Sequence, residues 1–445
     1  MRGILSKFVN MDTGQVKIFT SRDVPRLSYI TDILLGDLLG LSWEIVTDRR
    51  KLGKNPVINY SNETVKNSFS VIPTTLLFES DIRLYDISIS EWRGLPVFFQ
   101  TPEESDLPFD IFAASFYLIS RYEEYTYFQP DEHGRFRASY SLAYKNGFLD
   151  KPVVDLWARE WAKVMVLKFQ SMVFKKNVFK SLVTIDIDQP FEYRGKDLFR
   201  SLGGFLHDVG KRQGKTEERF RTISRGEKDP WDVFDYIFDR IEETGTEARF
   251  FIPTGDRSDF DKQPSWHNDD YRKLILNISR NYKTGLHPSY FAYLDSPKLK
   301  IEKTRLHKII SKDISSSRFH YLRIKFPESF RNLIHEGFKE DYSLGYHDEP
   351  GFRAGIARPF NFYDLGEEKE TDITIIPFQV MDGTLSQYKN MTPEEAGSVI
   401  QKIIEETRKA GGLFVSIWHN TSLLDNTECT GWREVFESTL KLQQE

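Results

Sequence analysis

Two carboxylates carry the first chemical signal in this chain. Asp186 and Asp188 close the run Leu182-Val183-Thr184-Ile185-Asp186-Ile187-Asp188, and Leu182 to Ile187 read as a buried strand. Side chains alternate along a strand, so both acids point to one face where the strand ends. Two such groups left unpaired away from water are costly. A divalent cation, held by one acid while the other serves as a base, resolves that cost. A hydrolytic metalloenzyme is therefore the leading reading. His287, Arg353, Asp382 and His419 follow at wide intervals, and His287 and His419 each come directly after an apolar stretch.

The elements that must position these residues alternate in type after the polar break Lys175-Lys176-Asn177. Asp229-Pro230 looks like a helix start, with Val233, Phe234, Ile237, Phe238 and Ile241 as the apolar face and Gly245 as the C-cap. Ala248–Ile252 is the next strand, Tyr271–Ile278 a helix, and Thr284–Leu286 a short strand delivering His287. Helices follow over Ile301–Ile310 and Pro327–His335, with Phe319–Leu322 extended between them. Ile373–Pro377 is a strand. Thr392-Pro393-Glu394-Glu395 is a capping box opening a helix that runs to Gly411. Leu413–Trp418 is the last strand and delivers His419. Strand–helix alternation argues for a parallel sheet covered by helices, and a (β/α) barrel is the form chosen here. In such barrels reacting groups sit at the C-terminal ends of strands, where Asp186, His287 and His419 all fall.

The first part, 1–175, mixes helices and strands and reads as a smaller α/β domain of unknown role, with 176–445 as the second domain. Tyr29–Leu41, Phe109–Tyr122 and Trp157–Phe169 look helical, and Phe69–Glu79 looks extended. The charged aromatic stretch from Ser120 to Arg135 reads as a salt-bridged helix end and a turn.

Composition sets the outer limits. A chain of 445 residues is too long for one ordinary core, so two domains are the default. Hydrophobic residues make up 39% and aromatic residues 14%, which supports packed structure over disorder. The net charge of −5 gives no general attraction to nucleic acid. The basic stretch Lys211–Arg225 also holds Glu217 and Glu218 and reads as a solvated loop. Cys429 is the only cysteine, so no disulfide forms within the chain and a reducing compartment fits. Met1–Lys7 lacks the apolar stretch of a leader, and no window approaches a membrane span. The expectation is a cytoplasmic protein. Oligomeric state leaves no trace in the sequence.

Taken in order, these residues resemble the polysaccharide deacetylases, the NodB-homology or carbohydrate esterase family 4 proteins, over the second domain. The whole chain looks like a subgroup with an extra N-terminal domain. The resemblance implies a distorted (β/α) barrel and a divalent metal, with zinc as first choice. It also implies hydrolysis of N-acetyl, or O-acetyl, groups on a sugar or oligosaccharide. Asp186 would be the general base and Asp188 a metal ligand. Gly285-Leu286-His287-Pro288-Ser289-Tyr290-Phe291 aligns with a His-Ser/Thr-x-x-His motif, making His287 the first imidazole ligand. The second position is Phe291, which cannot bind metal. Catalytic zinc sites normally use three protein ligands, so His320 is the first replacement and His347 the second. Gly351-Phe352-Arg353-Ala354-Gly355 resembles the third motif, where Arg353, preferred over Arg358, would pair with the base. Its glycines would allow close approach to substrate. Asp382 would orient His419, and His419 would protonate the leaving amine. Asp382-Gly383 also reads as a plain turn. Trp418 and Tyr290 are sugar platforms or core.

Two other functions remain in view. The substitution at Phe291 points to a catalytically weak or inactive carbohydrate-binding relative. The Asp-x-Asp pair alone also fits a nucleotide-sugar glycosyltransferase, although no Gly-rich phosphate loop precedes it.

Overall fold

The computed structural model describes residues 15–194 and 213–443. The Met1–Lys7 stretch and the start of the basic run at Lys211 lie outside them. The chain is mixed α/β and divides into two compact units. Residues 15–126, Val153–Val178 and Tyr363–Glu370 form the first unit. Tyr127–Pro152, Phe179–Phe362 and the chain from Thr371 onward form the second. The division is thus not a single cut.

The first unit holds a four-stranded sheet. Its strands are β1 (Val16–Thr20), β2 (Trp43–Val46), β3 (Val57–Tyr60) and β4 (Phe69–Ser70), all parallel in the order β2-β1-β3-β4. A separate hairpin pairs β5 (Ser90–Trp92) with β6 (Leu95–Val97). The extended run expected over 69–79 stops at Ser70. Pro73 has no N–H to continue a ladder, and Leu76–Phe78 instead form a short helical turn. The helix Ile111–Ile119 is buried along its whole length, and Asp110 caps it by accepting from Ala113 N at 3.0 Å. The returning segment Tyr363–Glu370 closes this unit. Buried Arg26 donates from Nε to Glu368 Oε2 at 2.9 Å and from Nη1 to Leu76 O at 2.7 Å.

The larger sheet contains β7 (Lys180–Asp186), β8 (Ala248–Ile252), β9 (Lys283–Leu286), β10 (Ser316–Ser317), β11 (Glu340–Asp341), β12 (Phe360–Asp364), β13 (Lys369–Ile375), β14 (Val380–Met381) and β15 (Leu413–His419), all in the second unit except the end of β12 and the start of β13, which fall in Tyr363–Glu370. Their order in one sheet is β12-β13-β11-β10-β9-β8-β7-β15-β14. Every pairing from β13 through to β14 is parallel. Helices intervene as periodicity requires. Phe234–Thr244 ends at Gly245, whose φ of 62° is the left-handed cap that glycine supplies without strain. Pro393–Ala410 opens on the reciprocal Thr392–Glu395 capping box.

Three expectations differ from the structure. The basic stretch read as a loop is helical over Gln213–Ser224. The next helix begins at Phe234 and not at Asp229-Pro230. The Asp229 carboxylate is occupied elsewhere, accepting from the backbone N–H groups of Glu192, Tyr193 and Arg194 at 2.7–3.0 Å. Phe319–Leu322 is not extended. Tyr321 and Leu322 have φ of 59° and 55°, so the chain turns sharply just after β10.

A core cluster lines one face of this sheet, with Leu182, Phe251, Tyr342, Val415 and Ile417 among its members. Alternation extends the row Leu182–Thr184 to Asp186, and the row Val415–Ile417 to His419. The register pairs Asp186 with His419 directly. The apolar face therefore becomes a polar rim at the strand ends. No helix among the described residues is long and apolar enough to cross a membrane.

Candidate metal centre

The polar groups of the site come from the ends of β7, β9, β10, β14 and β15. Asp186 is buried at the end of β7, and its Oδ1 accepts from Arg318 Nη1 at 2.9 Å. Arg318 is itself fully buried. Its Nε donates to Tyr342 O at 3.1 Å, and its guanidinium lies 4.3 Å from the Phe251 ring centre. Burial pulls the guanidinium pKa down while Asp186 opposes that pull. A buried pair of this kind holds the carboxylate in one orientation.

Asp188, two residues on, faces three imidazoles. Its Oδ1 lies 3.1 Å from His287 Nε2, and its Oδ2 lies 3.4 Å from His320 Nε2 and 3.6 Å from His419 Nε2. Burial would raise this carboxyl, but His320 and His287 outweigh it and hold it well below the ordinary carboxylate range. Neither Asp188 Oδ1 nor His287 Nε2 makes a hydrogen bond, although both are buried. Orphaned polar atoms of this kind call for a partner.

The tautomers follow from what each imidazole touches. His287 Nδ1 meets the carbonyl of Arg318, which can only accept, so Nδ1 carries the proton and Nε2 presents a lone pair. His320 Nδ1 meets Asp261 Oδ1 at 2.9 Å, with the same consequence. Asp188, His287 and His320 thus bring three ligand atoms within 4.8 Å of one another. A carboxylate and two imidazoles backed by acceptors on their far nitrogens make a donor set that suits zinc and similar borderline cations. Burial lowers the pKa of His320, but Asp188 and Asp261 overcome it and push the group up to about 9. A cation would compete for the Nε2 position with that proton.

The opposite side holds His419, the last residue of β15. Asp382, fully buried after β14, accepts from His419 Nδ1 at 2.7 Å and from its backbone N–H at 2.7 Å. His419 Nε2 lies 4.0 Å from Asp186 Oδ2. Burial lowers this imidazole and Asp382 raises it more, up to about 10.

The structure brings Asp186, Asp188, His287, His320, Asp382 and His419 together. It does not bring Arg353 to Asp186. Arg353 Nη1 donates to Gly345 O at 2.7 Å, and its guanidinium lies 4.9 Å from the Tyr346 ring centre. The guanidinium on the base carboxylate is Arg318. Gly351 likewise approaches protein and not an open pocket: a Cβ there would sit 2.5 Å from Leu149 O. His347 lies apart from the three ligands. Its Nε2 is 3.3 Å from Asp131 Oδ2, and burial together with Arg135 pushes it down to about 3. Phe291 is 52% exposed and packs edge-on to Tyr290. Trp418 is core. Tyr290 is buried and stacks on Phe260 at 3.8 Å.

Three residues escaped the sequence reading. Arg318 and Asp261 reach their partners only through the fold. Arg135, assigned above to a turn, lines the cavity of about 330 Å³ in front of Asp186 and Asp188. It is held there by Asp131 Oδ2 at 2.7 Å, Tyr321 O at 3.1 Å and Tyr388 Oη at 3.2 Å. Phe260, Tyr321, Tyr388, Lys262 and Gln387 line other parts of the cavity.

Among known proteins, a family of unknown function (DUF7033) matches residues 16–170. No curated protein matches the chain. Among solved structures, the chain is similar to a candidate polysaccharide deacetylase from Mycobacterium smegmatis. That match has a TM-score of 0.38 and 14% identity over 61% of this chain and 86% of that one. The chain is also similar to the catalytic domain of a peptidoglycan N-acetylglucosamine deacetylase from Eubacterium rectale, with a TM-score of 0.28 and 13% identity over 61% and 86%. A third likeness is to a CE4 family pseudoenzyme from Bacillus anthracis. Its TM-score is 0.31 and its identity 9%, over 61% of each chain.

Proposed function

We propose that the second unit is a metal-dependent deacetylase acting on an N-acetylated, or O-acetylated, sugar or oligosaccharide, and that its sheet belongs to a distorted (β/α) barrel. One observation carries this reading: Asp188, His287 and His320 converge at the strand ends, with two of their buried polar atoms unbonded, beside Asp186 and His419. A divalent cation on those three side chains, zinc by preference, would supply Lewis-acid polarisation of the acyl carbonyl and of water. Asp186, oriented by Arg318, takes the proton of the attacking water. His419, held by Asp382 through Nδ1, offers the proton on Nε2 to the departing nitrogen. Acetate and a free amine leave. His320 in the place of the ligand missing at Phe291 favours an active enzyme over an inert binding relative. The 1–175 stretch stays an accessory α/β domain in this proposal, and the protein is expected in the cytoplasm.

The test is acetate release from N-acetylchitooligosaccharides and a panel of O-acetylated oligosaccharides, with protein loaded with Zn²⁺, Co²⁺ or Mn²⁺. Release that needs metal and disappears in Asp186→Asn supports the proposal. Protein that binds metal yet releases no acetate from any member of the panel overturns it. Metal retained only with added nucleoside diphosphate would favour glycosyl transfer instead.

A further inference from the structure

We propose that Asp261 is a positioning residue for the metal centre: it fixes the ring of His320, the imidazole that replaces the ligand missing at Phe291, and locks it to the loop that carries His287. The inference rests on the metal-dependent reading above.

Asp261 lies beyond β8 and is 2% exposed. One oxygen does two jobs. Oδ1 accepts from His320 Nδ1 at 2.9 Å and from Tyr290 N at 3.0 Å. Oδ2 accepts from Ser258 Oγ at 2.6 Å, while Ser258 N donates to Asp261 O at 3.0 Å, so the carboxylate is itself clamped. Three strand-end segments thus meet at one side chain: the loop after β8, the His287-Pro288-Ser289-Tyr290 loop after β9, and the turn after β10.

His320 needs such an anchor. It sits just past the two-residue strand β10, and the next two residues are left-handed. No sheet ladder holds its backbone beyond His320 N donating to Pro288 O at 3.0 Å. Without an acceptor on Nδ1, the ring is free to place its proton on Nε2, the nitrogen that faces Asp188. A carboxylate on the far nitrogen forbids that tautomer and makes Nε2 a better donor to a cation. In a motif with two histidines on one loop, that loop alone would align both rings. Here the second ring comes from a different strand, and Asp261 restores the link through Tyr290, next to Phe291.

Glu302 provides the control. It is buried and holds the same loop, accepting from Ser289 N at 2.9 Å and from Ser289 Oγ, yet it touches no imidazole. The experiment measures Zn²⁺ affinity of the full chain by competition with a chromophoric chelator, with the visible band of the Co²⁺-loaded protein as a second readout. Asp261→Ala is expected to weaken Zn²⁺ binding by about 10- to 100-fold and to change the Co²⁺ band. Asp261→Asn, which keeps an acceptor, recovers part of the loss and carries the test if Asp261→Ala does not fold. Glu302→Gln is expected to lower the melting temperature and to keep wild-type Zn²⁺ affinity. Because Asp261 acts through His320, Asp261→Ala in a His320→Ala background should cost nothing further. Wild-type affinity in both Asp261 variants, equal losses for Asp261→Ala and Glu302→Gln, or additive losses with His320→Ala would each overturn the inference. A wild-type protein that binds neither cation removes the metal-dependent reading itself, and the two failures are thereby distinct.

Discussion

Asp110 in the first unit and Asp188 in the second are both acids on parallel-sheet scaffolds, and their surroundings are opposite. Asp110 accepts from Ala113 N, Tyr60 Oη, Thr74 N and Thr74 Oγ1, all at 2.7–3.0 Å. Every donor around it is protein, and burial raises its pKa against those bonds. Asp188 keeps one buried oxygen without a hydrogen bond and faces the Nε2 atoms of His287 and His320. The same residue type is closed off as structure in one case and left open to a ligand in the other. What separates a structural acid from a chemical one is whether its lone pairs are already spent on the fold.

The largest effects should fall on the open acid. Asp188→Ala combined with His287→Ala is expected to abolish metal stoichiometry and cut acetate release by at least about a thousandfold. Elemental analysis and an acetate assay check both. The apo protein should stay folded, at a cost of about 1–3 kcal/mol for the buried His287 ring and its hydrogen bond to Arg318 O. A collapse of the apo fold would place Asp188 with Asp110 and break the contrast. His419→Ala should cost about 100- to 10,000-fold in turnover while metal content stays at wild-type level.

The closed acid should behave in reverse. Asp110→Ala is expected to cost about 3 kcal/mol in denaturant unfolding, because it strands several buried donors at once, and to leave metal content alone. Glu302 sharpens the comparison through pH. Burial lifts its folded-state pKa from 4.5 to about 7. The folded state then holds more protons than the unfolded chain between those values. Stability from this group is therefore full below about pH 4.5 and falls as pH rises through about 7, by up to about 3 kcal/mol. Unfolding midpoints across that window should drop in wild type and stay flatter in Glu302→Gln. The smallest effect belongs to Tyr60→Phe, which removes one of the Asp110 donors and should cost about 1 kcal/mol.

The legible parts of the molecule were those with local signals. The Thr392–Glu395 box, the Gly245 cap and the strands ending at Asp186 and His419 are written in periodicity and end chemistry within a few residues. The Asp382–His419 pair was expected from the motif order of the resembled family, while Asp382-Gly383 by itself also read as a turn. Arg318 could not be read, since its meeting with Asp186 spans 132 residues and depends on register across β8, β9 and β10. The chosen Arg353 sits in a glycine-flanked segment whose tight contact is with Leu149. Asp261 lies in an irregular loop with no period, 59 residues from the imidazole it meets. A charged residue two positions before a candidate histidine, flanked by Ser316-Ser317 and Phe319, was the only hint of Arg318. Arg135 read as part of a salt-bridged turn because no further cue in its stretch pointed to a site, and Tyr127–Pro152 groups with the second unit.

The partnership of Arg26 with Glu368, 342 positions later, bears on how this polypeptide is made. During synthesis the first unit emerges early but lacks its final segment until most of the second has left the ribosome. Until Glu368 arrives, Arg26 has no carboxylate to receive two of its N–H groups, so the earliest-born part is among the last to be finished. Shortened versions that stop before Tyr363 should therefore be poor substitutes for the intact first unit, and protease pulses during translation would reveal that delay.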